Sequence, residues 1–411
     1  MAWVFTFCVY ARTLARVMLD IVHVHVCVHV CKYAHMYAMY RHTHQPVSLS
    51  PSLVLSLSSS LPLSISTYTL MHYTHRWVDV FKLNTRELVA KIVEDEIDIL
   101  VDLVGCTAGN RLDAFSCCPA PVQVAWIGYP NTTGLSCMHY RVTDAVTDPV
   151  DTSQRFSEKL IRLPDCFLCY NIQTDEIMQK ACGSKDLPAV VSPPCLQNGY
   201  ITFGCFNQVT KIQPAVLDLF IRILNQVPTS RINLKCGICF NAPCMREKWH
   251  AKFEAKGVAR ERVNLLPSVE EHVHHMSLYG KHDISLDTFP YGGATTTVDS
   301  LLMGVPVVTL RTPPSASIHA HNVSAGILTT LGLPDLIANS PDEYVHLASK
   351  LAANTERLVT LRDNLRSDWG KSPMGDADRY RRNVEKMYQD MWGEYCEGSN
   401  WPPNCPDRDI A

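Results

Sequence analysis

Between Tyr200 and Leu310 the chain alternates short apolar runs with single amphipathic stretches, and no other feature restricts its fold as strongly. Tyr200–Phe206 (YITFGCF), Arg231–Cys236 (RINLKC), Arg262–Leu266, Asp283–Asp287 (DISLD) and Val305–Leu310 (VPVVTL) read as strands. Pro214–Asn225, Cys244–Lys256, Glu270–Tyr279 and Thr295–Met303 read as the helices between them; a helix at Ile318–Leu331 follows, then more helices to about Tyr395. One helix between successive strands forces parallel pairing through right-handed crossovers, so the fold class is α/β with a doubly wound sheet. Ligands of such sheets bind in the loops leaving the carboxyl ends of the strands.

A shorter series precedes this one. Thr85–Glu94 has helical periodicity, and Ile97–Val104, Pro119–Gly128 and His139–Asp144 read as strands. Cys182–Gly199, rich in Pro and Gly and without period, reads as a linker. The expected organisation is therefore a leader at 1–75, a first Rossmann-like domain at 76–181, the linker at 182–199, a second Rossmann-like domain with C-terminal helices at 200–396, and a tail at 397–411. The leader is compositionally foreign to the rest. IVHVHVCVHV at Ile21–Val30 and the uncharged Ser/Leu run from Val47 to Met71 resemble translated simple repeats. Strict His alternation lacks the turn that groups metal ligands. The Ser/Leu run is too polar for a good transmembrane helix, and Met1–Tyr10 lacks the basic start and cleavage site of a signal peptide. The leader is expected to be disordered or extraneous to the domain.

Composition limits the partners. The 411 residues carry 37 Lys plus Arg against 40 Asp plus Glu, a net charge of −3, so no global positive field is available for nucleic acid or an anionic membrane. Phosphate binding must be local. Seventeen cysteines are scattered, with CxxC runs at Cys166–Cys169 and at Cys236–Cys239 some 70 residues apart, so reduced thiols in a cytosolic protein and no metal site are expected.

The loop after DISLD, TFPYGGATTTVD, holds what an anion site needs. Gly292 and Gly293 permit close backbone approach, and Thr295, Thr296 and Thr297 open the next helix, whose N-terminus offers free N–H donors and partial positive charge. The same residues would equally serve as a helix cap and a turn. Asp299, one turn on, suits ribose hydroxyls or simply a first-turn acid. In FNQVTKIQP, Lys211 follows a strand and precedes a helix, where it reads either as a diphosphate ligand or as solvated surface. His272, His274 and His275 lack an HExxH pattern and point to ligand contact or surface rather than metal.

DISLDTFPYGGATTTVDSLLMGVPVVTL, together with PAPVQVAWIGYPNTTGL, YRVTD, RLPDCFLCY, FGCFNQVTKIQP, HAHNV and MYQDMWGEYC, resembles the catalytic region of the protein O-linked N-acetylglucosamine transferase family over about residues 76–396, in its SPINDLY-like branch. The resemblance implies a GT-B fold of two Rossmann-like domains and inverting, metal-independent transfer of one sugar to Ser or Thr of proteins, in cytoplasm or nucleus, with no cofactor beyond the donor. UDP-N-acetylglucosamine is the expected donor. GDP-fucose, and a truncated remnant that binds nucleotide sugar without catalysis, are the alternatives. It also implies roles for residues. Lys211 and His275 are the expected catalytic contacts to the leaving nucleotide, and Asn207, Gln208, Gly293, Thr295, Thr296 and Asp299 join them in binding it. The chain departs from the branch at Cys106, where histidine is usual, and at Ala294, where threonine is usual. It also shows no 34-residue tetratricopeptide period and no match to the family's opening segment before Arg76, so an N-terminally incomplete enzyme with weak transfer is expected.

Overall fold

The computed structural model describes residues 26–30, 53–57, 76–78, 80, 82–107, 109–170, 187–269 and 271–398. The chain divides into two compact units. One comprises residues 2–145, 154–183 and 373–411, and the other comprises 146–153 and 184–372.

The first unit is a parallel sheet of seven strands: β1 Val26–Val30, β2 Leu53–Leu57, β3 Arg76–Trp77, β4 Ile99–Asp102, β5 Val122–Ala125, β6 Tyr140–Asp144 and β7 Lys159–Leu163, in the order β3-β2-β1-β4-β5-β6-β7. Helix α1, Thr85–Glu94, begins with a reciprocal cap in which Asn84 and Glu87 each bond the other's backbone N–H. It buries Leu88 and Ile92 in a cluster with Val80, Ile97, Leu100, Phe115 and Met138. Phe115 comes from the short helix α2, Leu112–Phe115. Two segments of the leader differ from the sequence reading: Val26–Val30 pairs in parallel with both β2 and β4, and Leu53–Leu57 pairs with β1 and β3. Period-two Val and Leu suit a pleated strand whatever their coding origin. The rest of the leader, the tail beyond 398 and the start of the linker lie outside the described residues.

The second unit holds a parallel six-stranded sheet made from β8 Thr202–Cys205, β9 Arg231–Lys235, β10 Val263–Leu266, β11 Ile284–Leu286, β12 Val307–Leu310 and β13 Ile337–Ala338. Helices α3 Pro214–Gln226, α4 Pro243–Glu254, α5 His272–Ser277, α6 Thr295–Leu302 and α7 His319–Thr330 alternate with these strands as the periodicity predicts, and α8 Pro341–Ala352 and α9 Thr355–Lys371 follow. Its order is β10-β9-β8-β11-β12-β13. Winding runs outward from β8 in one direction through β9 and β10, then resumes from β11 in the other. The crevice between the carboxyl ends of β8 and β11 is therefore a topological switch point. The segment 146–153 belongs to this unit because Asp148 is buried against His319 of α7, with Oδ2 2.6 Å from Nδ1.

The last helix, α10 Ala377–Cys396, belongs to the first unit and not, as the sequence reading had it, to the second. Trp126 packs against Tyr380 and Tyr388 at centroid distances of 6.3 and 6.2 Å. Tyr380 donates its hydroxyl to the Phe167 carbonyl at 2.6 Å, and Arg379 grips Asp165 with two nitrogens. Helical periodicity shows that α10 has an apolar face but not which sheet that face meets. Trp126→Ala should therefore lower stability by about 3–5 kcal/mol and expose α10 first. Limited proteolysis read by mass spectrometry checks this: the earliest new cuts are expected between residues 377 and 396.

Candidate nucleotide site

Strand β11 carries Ile284 and Leu286 into the core and ends on Asp287, which is buried. Its carboxylate organises the loop that follows. Oδ1 accepts from the backbone N–H of Thr288 at 2.8 Å and of Gly293 at 2.7 Å and from Asn207 Nδ2 at 3.2 Å, and Oδ2 accepts from Thr309 Oγ1 at 2.8 Å. A buried carboxylate needs this many donors to offset its lost hydration. Gly293 is held so tightly that an added Cβ would clash with Thr297 Oγ1 and come within 2.8 Å of Thr296 Oγ1. Only glycine fits there, which is the requirement the GG pair signals in the sequence.

Asn207, buried just past β8, joins the two loops. While Nδ2 donates to Asp287, Oδ1 accepts from Thr296 Oγ1 at 3.0 Å and faces Lys211 Nζ at 3.5 Å. Lys211 closes a 3₁₀ turn, Val209–Lys211, and reaches across to donate to the Gly292 carbonyl at 2.7 Å, its ammonium lying 3.8 Å from the Tyr291 ring centre. Burial pushes the Lys211 pKa down to about 8 against the opposing pull of Asp287. An ammonium stripped of water and set beside a glycine loop is prepared for an anion. Thr295 and Thr296 open α6, whose N-cap is Ala294, with no side chain satisfying the first N–H groups.

A second cluster lies along the same helix. His275 Nε2 is 3.8 Å from Asp299 Oδ2, and its Nδ1 is 2.9 Å from Nζ of Lys235, the last residue of β9. All three side chains are buried. An ammonium only donates, so Nδ1 accepts and the ring proton sits on Nε2, a buried atom with no hydrogen-bond partner among the described residues. His272 packs on His275 at 6.3 Å, and burial lowers its pKa.

Of the residues singled out from sequence, Lys211, Asn207, Gly293 and Thr296 converge on one loop pair, and His275 and Asp299 form the neighbouring cluster. Thr295 stands at the helix start. Gln208 turns elsewhere: it is exposed, and its Oε1 accepts from Cys236 Sγ at 3.3 Å. Asp287 and Lys235 were missed. Both end a strand beside the switch point, so their signal was position rather than motif. Cys106 is exposed in the loop after β4. Among the described residues no three His, Cys, Asp or Glu side chains group as a metal site, and no helix is long and apolar enough to cross a membrane.

Two units of parallel α/β structure with an anion-ready loop pair at a switch point place the chain in the GT-B class of glycosyltransferases. A solved structure of an O-GlcNAc transferase variant from Thermobaculum terrenum is similar, with a TM-score of 0.79 and 29% identity over 93% of this chain and 70% of that one. The sequence profile of glycosyl transferase family 41 matches residues 57–187 and 188–384, and the chain belongs to that family. The probable UDP-N-acetylglucosamine–peptide N-acetylglucosaminyltransferases SPINDLY of Solanum lycopersicum and Arabidopsis thaliana are each 44% identical over 322 residues. The corresponding SEC protein of Arabidopsis is 31% identical over 327 residues. The match covers 78% of this chain but only 33% of the tomato protein, so this chain spans about a third of that relative's length.

Gly293→Ala should force the Thr296–Thr297 end of α6 away from Asp287 and cost about 1–3 kcal/mol. Thermal unfolding checks it, and an unchanged Tm would show that the loop does not depend on this close approach.

Proposed function

We propose that the second unit binds the diphosphate of a nucleotide sugar, and that the chain transfers N-acetylglucosamine from UDP-N-acetylglucosamine to Ser or Thr hydroxyls of proteins with inversion and without a metal. The observation that carries this reading is the convergence of the Lys211 ammonium, Gly293 and the uncapped start of α6 at the carboxyl ends of β8 and β11. The names of the SPINDLY and SEC relatives support the choice of donor sugar and of a peptide acceptor.

In such a transfer the acceptor oxygen attacks the anomeric carbon while the bond to the diphosphate breaks, the electron pair leaves on a phosphate oxygen, and a phosphate oxygen of the leaving group takes the hydroxyl proton. Groups that hold the developing charge more tightly than the ground-state charge lower the barrier. Lys211 supplies a full positive charge in a site of low polarity, and the first N–H groups of α6 supply partial ones. The Nε2–H of His275 provides a further donor, and Asp299 an acceptor for sugar hydroxyls of the nucleoside.

Lys211→Ala should weaken UDP binding by ~1.5–3 kcal/mol, the scale of one charge-assisted contact. Calorimetry decides it, and unchanged affinity for both UDP and GDP would exclude the assignment. The pH dependence has a definite sign. The lysine pKa is lowered to about 8 in the free protein and only the charged form attracts the diphosphate, so affinity declines as pH rises through about 8. Titrations of Lys211→Met across the same range should lose that slope.

A further inference from the structure

The CxxC at Cys236 and Cys239 has no part in the chemistry above, yet it touches the turn that carries Lys211. Cys236 follows β9 directly and is buried, whereas Cys239 is half-exposed. The Cys239 N–H donates to the Cys236 carbonyl at 3.0 Å, which closes a turn around Gly237 and Ile238. A hydrogen-bonded four-residue turn keeps its end Cα atoms within about 7 Å, overlapping the ~4.4–6.8 Å span of disulfides. Ile238, between the two, is 81% exposed, so the turn is open to an incoming reagent.

Cys236 Sγ makes two other contacts. It accepts from the backbone N–H of Val209 at 3.3 Å and donates to Gln208 Oε1 at 3.3 Å. Gln208 caps the 3₁₀ turn and Val209 begins it, and Lys211 is its third residue. The sulfur of Cys236 therefore holds the base of the turn whose tip is the lysine.

We propose that Cys236 and Cys239 form a reversible intramolecular disulfide that loosens the Val209–Lys211 turn and so weakens capture of the diphosphate. With glutathione disulfide as oxidant, the Cys239 thiolate attacks one glutathione sulfur, a mixed disulfide forms and one glutathione thiolate leaves. Cys236 then loses its proton and attacks the Cys239 sulfur, and the second glutathione leaves. Two protein thiols are oxidised, one glutathione disulfide is reduced to two glutathiones, and the S–H that Gln208 accepted is gone. Burial pushes the Cys236 thiol up, which suits the buried resolving partner, and leaves entry to half-exposed Cys239.

The test equilibrates the full chain with glutathione disulfide or with dithiothreitol. Peptide mapping should find the 236–239 crosslink with the loss of two hydrogens, absent in Cys239→Ser and restored to dithiol by dithiothreitol. Hydrogen exchange should then show peptides across 207–213 exchanging faster in the oxidised wild type but not in oxidised Cys239→Ser. Failure to form the crosslink, or a crosslink with unaltered exchange at 207–213, overturns the proposal. The effect on affinity rests on the function proposed above. UDP should bind about five-fold more weakly to the oxidised chain, the worth of one ordinary hydrogen bond. If the reduced chain binds neither UDP nor GDP, the functional reading fails, while the crosslink and the exchange data still judge the switch.

Discussion

The carboxylate of Asp287 is the interaction on which the second unit's site depends. It sits at the end of β11, buried, and its two oxygens collect the Thr288 and Gly293 amides, the Asn207 amide and the Thr309 hydroxyl. Each of those contacts fixes a different piece. The Gly293 bond folds the glycine loop back under α6, the Asn207 bond ties in the segment after β8, and the Thr309 bond adds β12. Its own carbonyl receives the Tyr344 hydroxyl from α8 at 2.8 Å. Removing the charge would leave several buried donors without an acceptor, a larger loss than any single bond. Lys211 is held near this carboxylate, but its nitrogen is bonded to the Gly292 carbonyl instead.

Burial of ionisable groups recurs across the unit. His282 is pressed against Gly204, where any Cβ would collide with the ring, and bonds Ser285 Oγ through Nε2 at 2.9 Å. Burial lowers its pKa to about 3, so it stays neutral and serves packing. Arg362, also buried, donates to the His282 carbonyl at 2.6 Å and the Met303 carbonyl at 3.3 Å, closing off chain ends behind the sheet. Lys235 and His275 hydrogen-bond each other, and the ring's Nε2, like His282 Nδ1 and Arg362 Nε, has no hydrogen-bond partner among the described residues.

Much of this was legible in the residues. Strands and helices between Thr202 and Thr330 lie within a few positions of where periodicity puts them, because β8, β11 and β12 are buried along their whole length and the helices are separated by clear turns. Lys211, Gly293 and Thr296 were singled out by their places in strand-to-helix loops and by the family resemblance, because glycine, threonine and lysine there serve equally as turn, cap or surface. Other features were hidden for physical reasons. Asp287 looks like the close of a strand, and only the folded loop shows that it gathers donors far away in sequence. Lys235 sits in RINLK, where alternation assigns it to a face without saying that the face is enclosed. The 22-residue separation of Asp287 and Thr309, and the 171-residue separation of Asp148 and His319, have no local signature at all.

The path of the chain limits how such a protein can be taken apart. It passes from one unit to the other after residues 145, 153, 183 and 372. The excursion at 146–153 leaves Asp148 bonded to His319, and the return at 373 takes α10 back to Trp126. A fragment cut at the Pro-rich linker would therefore strand a histidine without its carboxylate and carry a helix whose apolar face has lost its sheet. The second unit of this chain cannot be lifted out by a single cut, because its sequence is interrupted by that of the first. Recombination that respects the folding units must preserve every junction.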